Sequence, residues 1–553
     1  MQLRGTGVGA GIAIGPVLRM ADPLPEPSEL TSDRSPQDEW VRGREALAAT
    51  AADLAARGAT AGGTAKDVLE AQALMAADPS LGTEVENRVM AGATAERAVF
   101  EAFAGYRDLL TGMGGYLAER AADLDDVSQR VRAHLAGVPA PGVPSPGHPF
   151  VLVARDLSPA DTATLDLAQV SAVVTVDGGP TSHTAILARE KSLVAVVGVA
   201  SAWSLADGDR VIVDAGRDTV VAAPTPDELT DAEHRIAERA ATAAAPIEPG
   251  RLSDGTPVPL LANLGSADGA AEAVRLGAEG VGLFRTEFLF LDADRAPTVD
   301  EQRSEYVRLL EAFPGRKVVV RVLDAGADKP LSFVNDDAEP NPALGLRGIR
   351  ALRAAEPVLR DQLTALAQAE AETSAELQVM APMVATVEET RYFADLAHEL
   401  GIRVAGVMVE TPAAALIADR VLAIAEFASI GTNDLTQYTM AADRLLGTVA
   451  GLQDPWHPAV LRLIGEVGAA GAKAGKSVGV CGEAAADPLL AVVLVGLGVT
   501  SLSMSPSAIA DVRASLLGYD RADAERLARA ALAAEGAAEA RQAVRIAVEA
   551  PSA

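Results

Sequence analysis

A chain of 553 residues, 49% of them hydrophobic, is longer than one hydrophobic core serves, so at least two domains are expected. Its net charge of −29, from 76 acidic against 47 basic residues, leaves no cation excess for neutralising phosphates, which excludes nucleic acid or an anionic lipid surface as the main target. The single cysteine, Cys481, forbids an intrachain disulfide; no apolar run reaches the ~18 residues of a membrane span, and Met1–Gly5 opens no signal-like segment, so a cytoplasmic protein with no membrane insertion is expected.

Residues 6–19 read as a Gly-rich turn followed by a strand over 11–18. From about Gln37 to Ala136 the pattern becomes helical: Ala, Glu, Arg and Leu dominate, and apolar residues recur at helical spacing. Four or five helices are predicted there, interrupted at Pro79, Gly92 and Gly112–Gly115. The Pro- and Gly-rich stretch 138–147 is a connector. Short apolar runs follow at 150–153, 170–176, 193–197, 210–214 and 219–222. The early strand has no sheet partner near it in sequence, so the helices are predicted to be inserted into one α/β domain.

Residues 226–245 read as a charged connecting helix, closed by Pro246–Gly250. Beyond it, apolar runs at 258–262, 280–284, 318–323, 378–383, 404–409, 427–430, 477–480 and 501–504 alternate with helical stretches, the signature of a (β/α)8 barrel. The predicted organisation is a multidomain α/β chain. An α/β domain spans 1–20 plus 145–225, an all-α bundle 21–144, a linker helix 226–250, and the barrel 251–553.

Barrel active sites lie at the C-terminal ends of the strands. Those positions hold Asn263, Arg285-Thr286-Glu287, Arg321 with Asp324 and Lys329, Glu410, Asn433-Asp434 and Cys481-Gly482-Glu483, while Arg347 and Arg444 sit in the following loops. Arginine forks match phosphate and carboxylate oxygens, so Arg285, Arg321, Arg347 and Arg444 suggest a small polyanion. Glu410 and Asp434, from adjacent strands, are what a magnesium ion needs beside substrate phosphate. Cys481 is read in two ways: a buried small hydrophobe, or a proton donor or acceptor at the barrel mouth.

The strongest short motif is Asp177-Gly-Gly-Pro-Thr-Ser-His-Thr184, a strand feeding a Gly-Gly turn and then a helix. His183 falls in that helix's first turn, among Thr181, Ser182 and Thr184, where backbone N–H groups favour an anion. An imidazole there can accept a phosphoryl group; the alternative is a structural cap. Of the six histidines, His183 alone has this setting, and no Cys/His cluster argues for zinc.

Together these segments resemble the family of phosphoenolpyruvate-utilising phosphotransferases, and within it the Enzyme I branch of the bacterial sugar phosphotransferase system, over essentially the whole chain. The resemblance is carried by Gly178–Thr184, Gly282–Leu289, Gly345–Arg350, Val409–Pro412, Ser429–Tyr438 and Cys481–Glu483, in this order. It implies that His183 is phosphorylated by phosphoenolpyruvate and hands the group to a histidine of the phosphocarrier protein HPr, releasing pyruvate. Arg285 and Arg321 would hold the phosphate, Glu410 and Asp434 would bind Mg²⁺, Asn433 and Arg444 would orient the substrate with Arg347 and Lys329 nearby, and Cys481 would handle the proton. Arg120 and Asp123 match a stretch facing the histidine. The helical domain would dock HPr, a homodimer would form through the barrel, and the phosphohistidine domain would swivel about 138–148 and 224–250. Pro180 and Ala327 stand where relatives often carry Arg and Gly. Two alternatives are a dikinase-type enzyme lacking its nucleotide domain and a regulatory phosphotransfer protein.

Overall fold

The computed structural model describes residues 1–8, 11–21, 23–29, 31–60, 63–113, 121–138, 142–144, 146–157, 161, 165–179, 182–190, 193–290, 295–325, 331, 333–334, 339, 341–443 and 446–549. The chain divides into two compact units, Met1–Ile236 and Ala237–Ala553.

The first unit is built on an eight-stranded sheet: β1 (Gln2–Arg4), β2 (Thr6–Val8), β3 (Ile12–Arg19), β4 (Phe150–Ala154), β5 (Val170–Thr175), β6 (Val194–Val197), β7 (Arg210–Asp214) and β8 (Thr219–Ala222). Their order across the sheet is β1-β8-β7-β3-β4-β5-β6-β2. β3 lies between β7 (antiparallel) and β4 (parallel), which puts the early strand in the middle of a sheet most of whose other members begin only at Phe150. β2 falls in the segment that the sequence reads as a Gly-rich turn, and the sequence assigns no element to β1. Three-residue strands with one buried apolar side chain each, Leu3 and Val8, are too short to carry a periodic signal. They form the two edges of the sheet, and Gly5 alone joins them, so the sheet must curl until its edges come close.

Between β3 and β4 run the helices Pro36–Thr60, Gly63–Ala76, Pro79–Met90, Ala95–Met113 and Ala121–Ala136. Pro79 starts a helix rather than only breaking one. Asp78 caps it by accepting from the amides of Ser80 and Leu81, and proline at the first helical position leaves no amide to satisfy. The apolar stripes of these helices meet in their own core around Leu54, Val85, Phe103, Val127 and Val131.

The second unit is a closed, all-parallel barrel of β9 (Leu260–Leu264), β10 (Val281–Arg285), β11 (Lys317–Arg321), β12 (Glu376–Val384), β13 (Ala405–Val409), β14 (Ala428–Gly431), β15 (Val478–Cys481) and β16 (Ser501–Met504). Each of the eight predicted runs became a strand, because parallel strands buried on both faces need continuous apolar sequence. Leu283, Val319, Met380, Met408, Phe427 and Cys481 fill the interior, and helices packed outside cover a much larger apolar shell. Among the described residues, no helix is long and apolar enough to cross a membrane.

Candidate active site

Four strand ends and the loops after them bring the charged side chains of the barrel mouth together. Arg321, at the end of β11, is buried and forms ion pairs with Glu287 (2.7 Å), Asp324 (3.2 Å) and Glu410 (3.6 Å). Arg347, just before the helix Ile349–Ala354, is also buried and pairs with Asp434 (3.0 Å) and Asp324 (3.3 Å). Asp324 therefore bridges the two guanidiniums. Arg285 ends β10 next to Arg321 in the sheet and is exposed. Asp434 sits in the first turn of the helix Thr432–Met440, where the helix dipole favours its negative charge.

Glu410, which directly follows β13, is 1% exposed. Burial first, and then the neighbouring Asp434 carboxylate, push its carboxyl up to about 7, against the pull of Arg321. Glu287, Asp324, Glu410 and Asp434 stand among Arg285, Arg321 and Arg347 at the mouth. The buried Nε atoms of Arg321 and Arg347 meet no acceptor among the described residues. Guanidinium N–H groups with no acceptor among the described residues are one need, and the Asp434 carboxylate set beside buried Glu410 is another. An anion carrying phosphate or carboxylate oxygens meets the first, and a divalent cation at Glu410 and Asp434 meets the second. Two carboxylates suffice for magnesium, which keeps its remaining positions for water and substrate oxygens. A cluster of three or more metal-binding side chains does not occur among the described residues.

Cys481 ends β15 inside the same ring. Its Sγ accepts from Ser429 Oγ (3.4 Å) and donates to the Ile430 carbonyl (3.5 Å). Burial pushes the thiol up to about 11, so it is protonated at neutral pH, and of the two acid–base roles the donor is the one available at rest. It is at once part of the barrel's inner core and within the field of Arg285, Arg321 and Glu410. Asn433 is half-buried in the turn that opens the Asp434 helix. A cavity of about 230 Å³ beside Arg347 is lined by Leu344, Met383, Thr411, Pro412 and Tyr438. Lys329 and Arg444 lie outside the described residues.

In the first unit, the helix His183–Glu190 begins at His183 itself. Gly178, at φ 89°, turns the chain out of β5, and a Cβ there would crowd Ser182 at 3.1 Å. The Ser182 hydroxyl caps the helix by accepting from the Ala185 amide (3.3 Å). The buried Thr184 hydroxyl donates to Asp156 Oδ1 (2.8 Å) and accepts from the Leu157 amide (3.2 Å), which ties the helix start to the loop after β4. Both hydroxyls are thus engaged in holding the helix. Thr184→Val is expected to lower stability by about 1–2 kcal/mol in denaturant unfolding, by removing one buried and one part-buried hydrogen bond. Asp123 is buried in the helix Ala121–Ala136 and accepts from Gln72 Nε2 (3.2 Å). Thr181, Arg120 and the His183 side chain lie outside what is described.

Sequence reasoning placed Glu287 and Asp324 at strand ends but gave them no role; the i, i+3 spacing of Arg321 and Asp324 was the available signal. Tyr438, whose hydroxyl accepts from Arg347 Nη1 (3.1 Å) and donates to the Ala343 carbonyl, had no signal beyond its place in a motif.

The chain matches family models described as PEP-utilising enzyme, PEP-binding domain over residues 239–521, PEP-utilising enzyme, N-terminal over 4–120, and PEP-utilising enzyme, mobile domain over 146–218. It is 54% identical over 544 residues to a phosphoenolpyruvate-protein phosphotransferase of Streptomyces coelicolor, covering 98% of each chain. It is 38% identical over 548 residues to one of Bacillus subtilis, covering 95% of each, and 42% identical over 490 residues to one of Haloferax volcanii, covering 85% of each.

Proposed function

We propose that this chain, which belongs to the PEP-utilising enzyme family, takes the phosphoryl group of phosphoenolpyruvate onto His183 and passes it to a histidine of the phosphocarrier protein HPr. It is a phosphoenolpyruvate-protein phosphotransferase, a transferase. The observation that carries the residue-level reading is the pair of buried arginines at the barrel mouth, each with an Nε donor that meets no acceptor among the described residues, set beside the buried Glu410 and Asp434 carboxylates.

In this reading Arg321 and Arg285 hold the phosphoryl oxygens, and Arg347 and Asn433 orient the substrate together with Lys329 and Arg444. Glu410 and Asp434 would hold Mg²⁺, which would supply positive charge to offset that of the phosphoryl group. A His183 nitrogen forms a bond to phosphorus as the phosphorus–oxygen bond to the enol breaks, with the electron pair leaving on the enolate oxygen. The methylene carbon then takes a proton, from the side of Cys481, and pyruvate is released. Arg120, Asp123, Thr181, Ser182 and Thr184 support the histidine. His183 and the barrel mouth belong to different units, so catalysis requires them to meet and then part, and a swivel about the connectors at 138–148 and 224–250 fits that need. The helices between β3 and β4 dock HPr. A homodimer through the barrel and a cytoplasmic location complete the proposal.

The test is phosphoryl transfer from phosphate-labelled phosphoenolpyruvate with Mg²⁺. Acid-labile label on the protein that chases to HPr is the expected result. Label that HPr cannot remove would replace HPr with another acceptor. Labelling from ATP instead would favour the dikinase reading.

A further inference from the structure

β12 does not run straight into the barrel mouth. Ala381 lies opposite Val407 of β13, and Val384 opposite Val409, so Pro382 and Met383 together face the single residue Met408. This is a β-bulge, a device that re-aims backbone groups at barrel rims. Pro382 has no amide hydrogen, so the interrupted ladder loses no donor there. Met383 adopts φ 55°, left-handed backbone that an unbranched apolar residue rarely takes. Its amide consequently donates to Glu410 Oε2 at 2.9 Å instead of to the neighbouring strand.

The same residue touches the other half of the site. Gly348, at φ 57°, lies against it, and a Cβ on Gly348 would stand 2.6 Å from Met383 Cβ. Gly348 directly follows Arg347, whose guanidinium pairs with Asp434 and Asp324. The bulge therefore abuts the backbone beneath Arg347, the substrate-orienting arginine, while its amide fixes one oxygen of Glu410.

We infer that Met383 is a positioning residue whose strained backbone, not its side chain, aims Glu410: the Met383 amide holds Oε2, so that Oε1, which faces Arg321 Nη1 at 3.6 Å, is the oxygen presented to a divalent cation. Strain of this kind persists only where the surrounding structure enforces it, and it concentrates at functional sites. The inference rests on the proposed reading of Glu410 as a cation ligand.

Backbone and packing roles predict opposite orders of substitution. Asn accepts left-handed backbone well, Ala moderately and Val poorly, because of its branched Cβ. For packing in a buried apolar position, Val is the best of the three replacements and Asn the worst. The experiment measures Mn²⁺ bound by the full-length chain, with and without phosphoenolpyruvate, from loss of the free-ion electron paramagnetic resonance signal, alongside the thermal midpoint of each variant. Met383→Asn is expected to bind within about twofold of wild type, Met383→Ala several-fold more weakly and Met383→Val about tenfold or more weakly, as for loss of an outer partner of a metal ligand. Val binding as well as or better than Asn would overturn the inference. If Met383→Val does not fold, the Asn and Ala pair decides: Ala equal to or tighter than Asn overturns it. A wild type that binds no Mn²⁺ would instead sink the cation reading of Glu410 on which the inference depends, and the inference with it.

Discussion

His183→Ala is expected to abolish labelling by phosphoenolpyruvate and pyruvate release together, while the protein stays folded. The two losses go together because the phosphorus–oxygen bond of the substrate breaks only as a nitrogen–phosphorus bond forms. The barrel mouth of the variant is untouched: Arg321, Arg347, Glu410 and Asp434 keep their mutual ion pairs. The variant should still bind phosphoenolpyruvate in equilibrium dialysis, with affinity within a few-fold of wild type, since its binding groups remain. That separation is the informative part. Pyruvate release without label would mean that water replaces histidine as acceptor, making the barrel a hydrolase by itself. Label retained at the wild-type level would place the phosphoryl group on another residue, and the helix start at His183 would then be only a cap. Because Ser182 and Thr184 hold that helix through Ala185 and Asp156, removal of the imidazole should leave the circular dichroism spectrum unchanged.

What was legible in the sequence depended on whether one short segment carried the whole signal. The barrel strands were legible because a strand buried on both faces must be apolar throughout, and Val318–Val320 or Ala405–Val409 can hardly be read otherwise. The site residues were legible for a related reason: a strand's C-terminal end is defined by the strand, so Glu410 and Cys481 could be placed at the mouth before any contact was known. β1 and β2 were not legible, since Leu3 and Val8 acquire meaning only when β8 and β6 arrive from about 190 to 220 residues away. Nor was the division of labour among charges. Arg321 and Arg347 both read as partners of a small polyanion, yet which carboxylates restrain them depends on side chains from three separate loops. The Met383 bulge was the least accessible feature. Pro382 hints at an interruption, but a left-handed methionine is imposed by its surroundings, against its own preference.

Glu410→Gln is expected to cost about 10³-fold or more in phosphoryl transfer, the scale of losing a metal's charge from the transition state, and at the same time to make the metal-free protein more stable. Both follow from one fact: Glu410 is a buried carboxylate among Asp434, Asp324 and the backbone of β12, with the arginines already shared among other acids. Its carboxyl is raised from 4.5 to about 7. A group raised in this way binds a proton in the folded state that the unfolded chain has released, throughout the window between those two values. Wild-type stability without metal should therefore fall as pH rises from about 4.5 to about 7 and stay low above it. Glutamine carries no such charge and can still accept the Met383 amide. The variant should match wild type near pH 4.5 and exceed it by roughly 2 to 3 kcal/mol at pH 8, measured by denaturant unfolding with chelator. Adding Mg²⁺ at pH 8 should stabilise the wild type and leave the variant unchanged. Below pH 7 the proton competes with the cation for Glu410, so Mg²⁺ affinity should drop by up to about tenfold per pH unit in the wild type. A variant no more stable than wild type at pH 8 would mean that the arginines already neutralise Glu410, and the reading of Glu410 as a cation ligand would lose its electrostatic support.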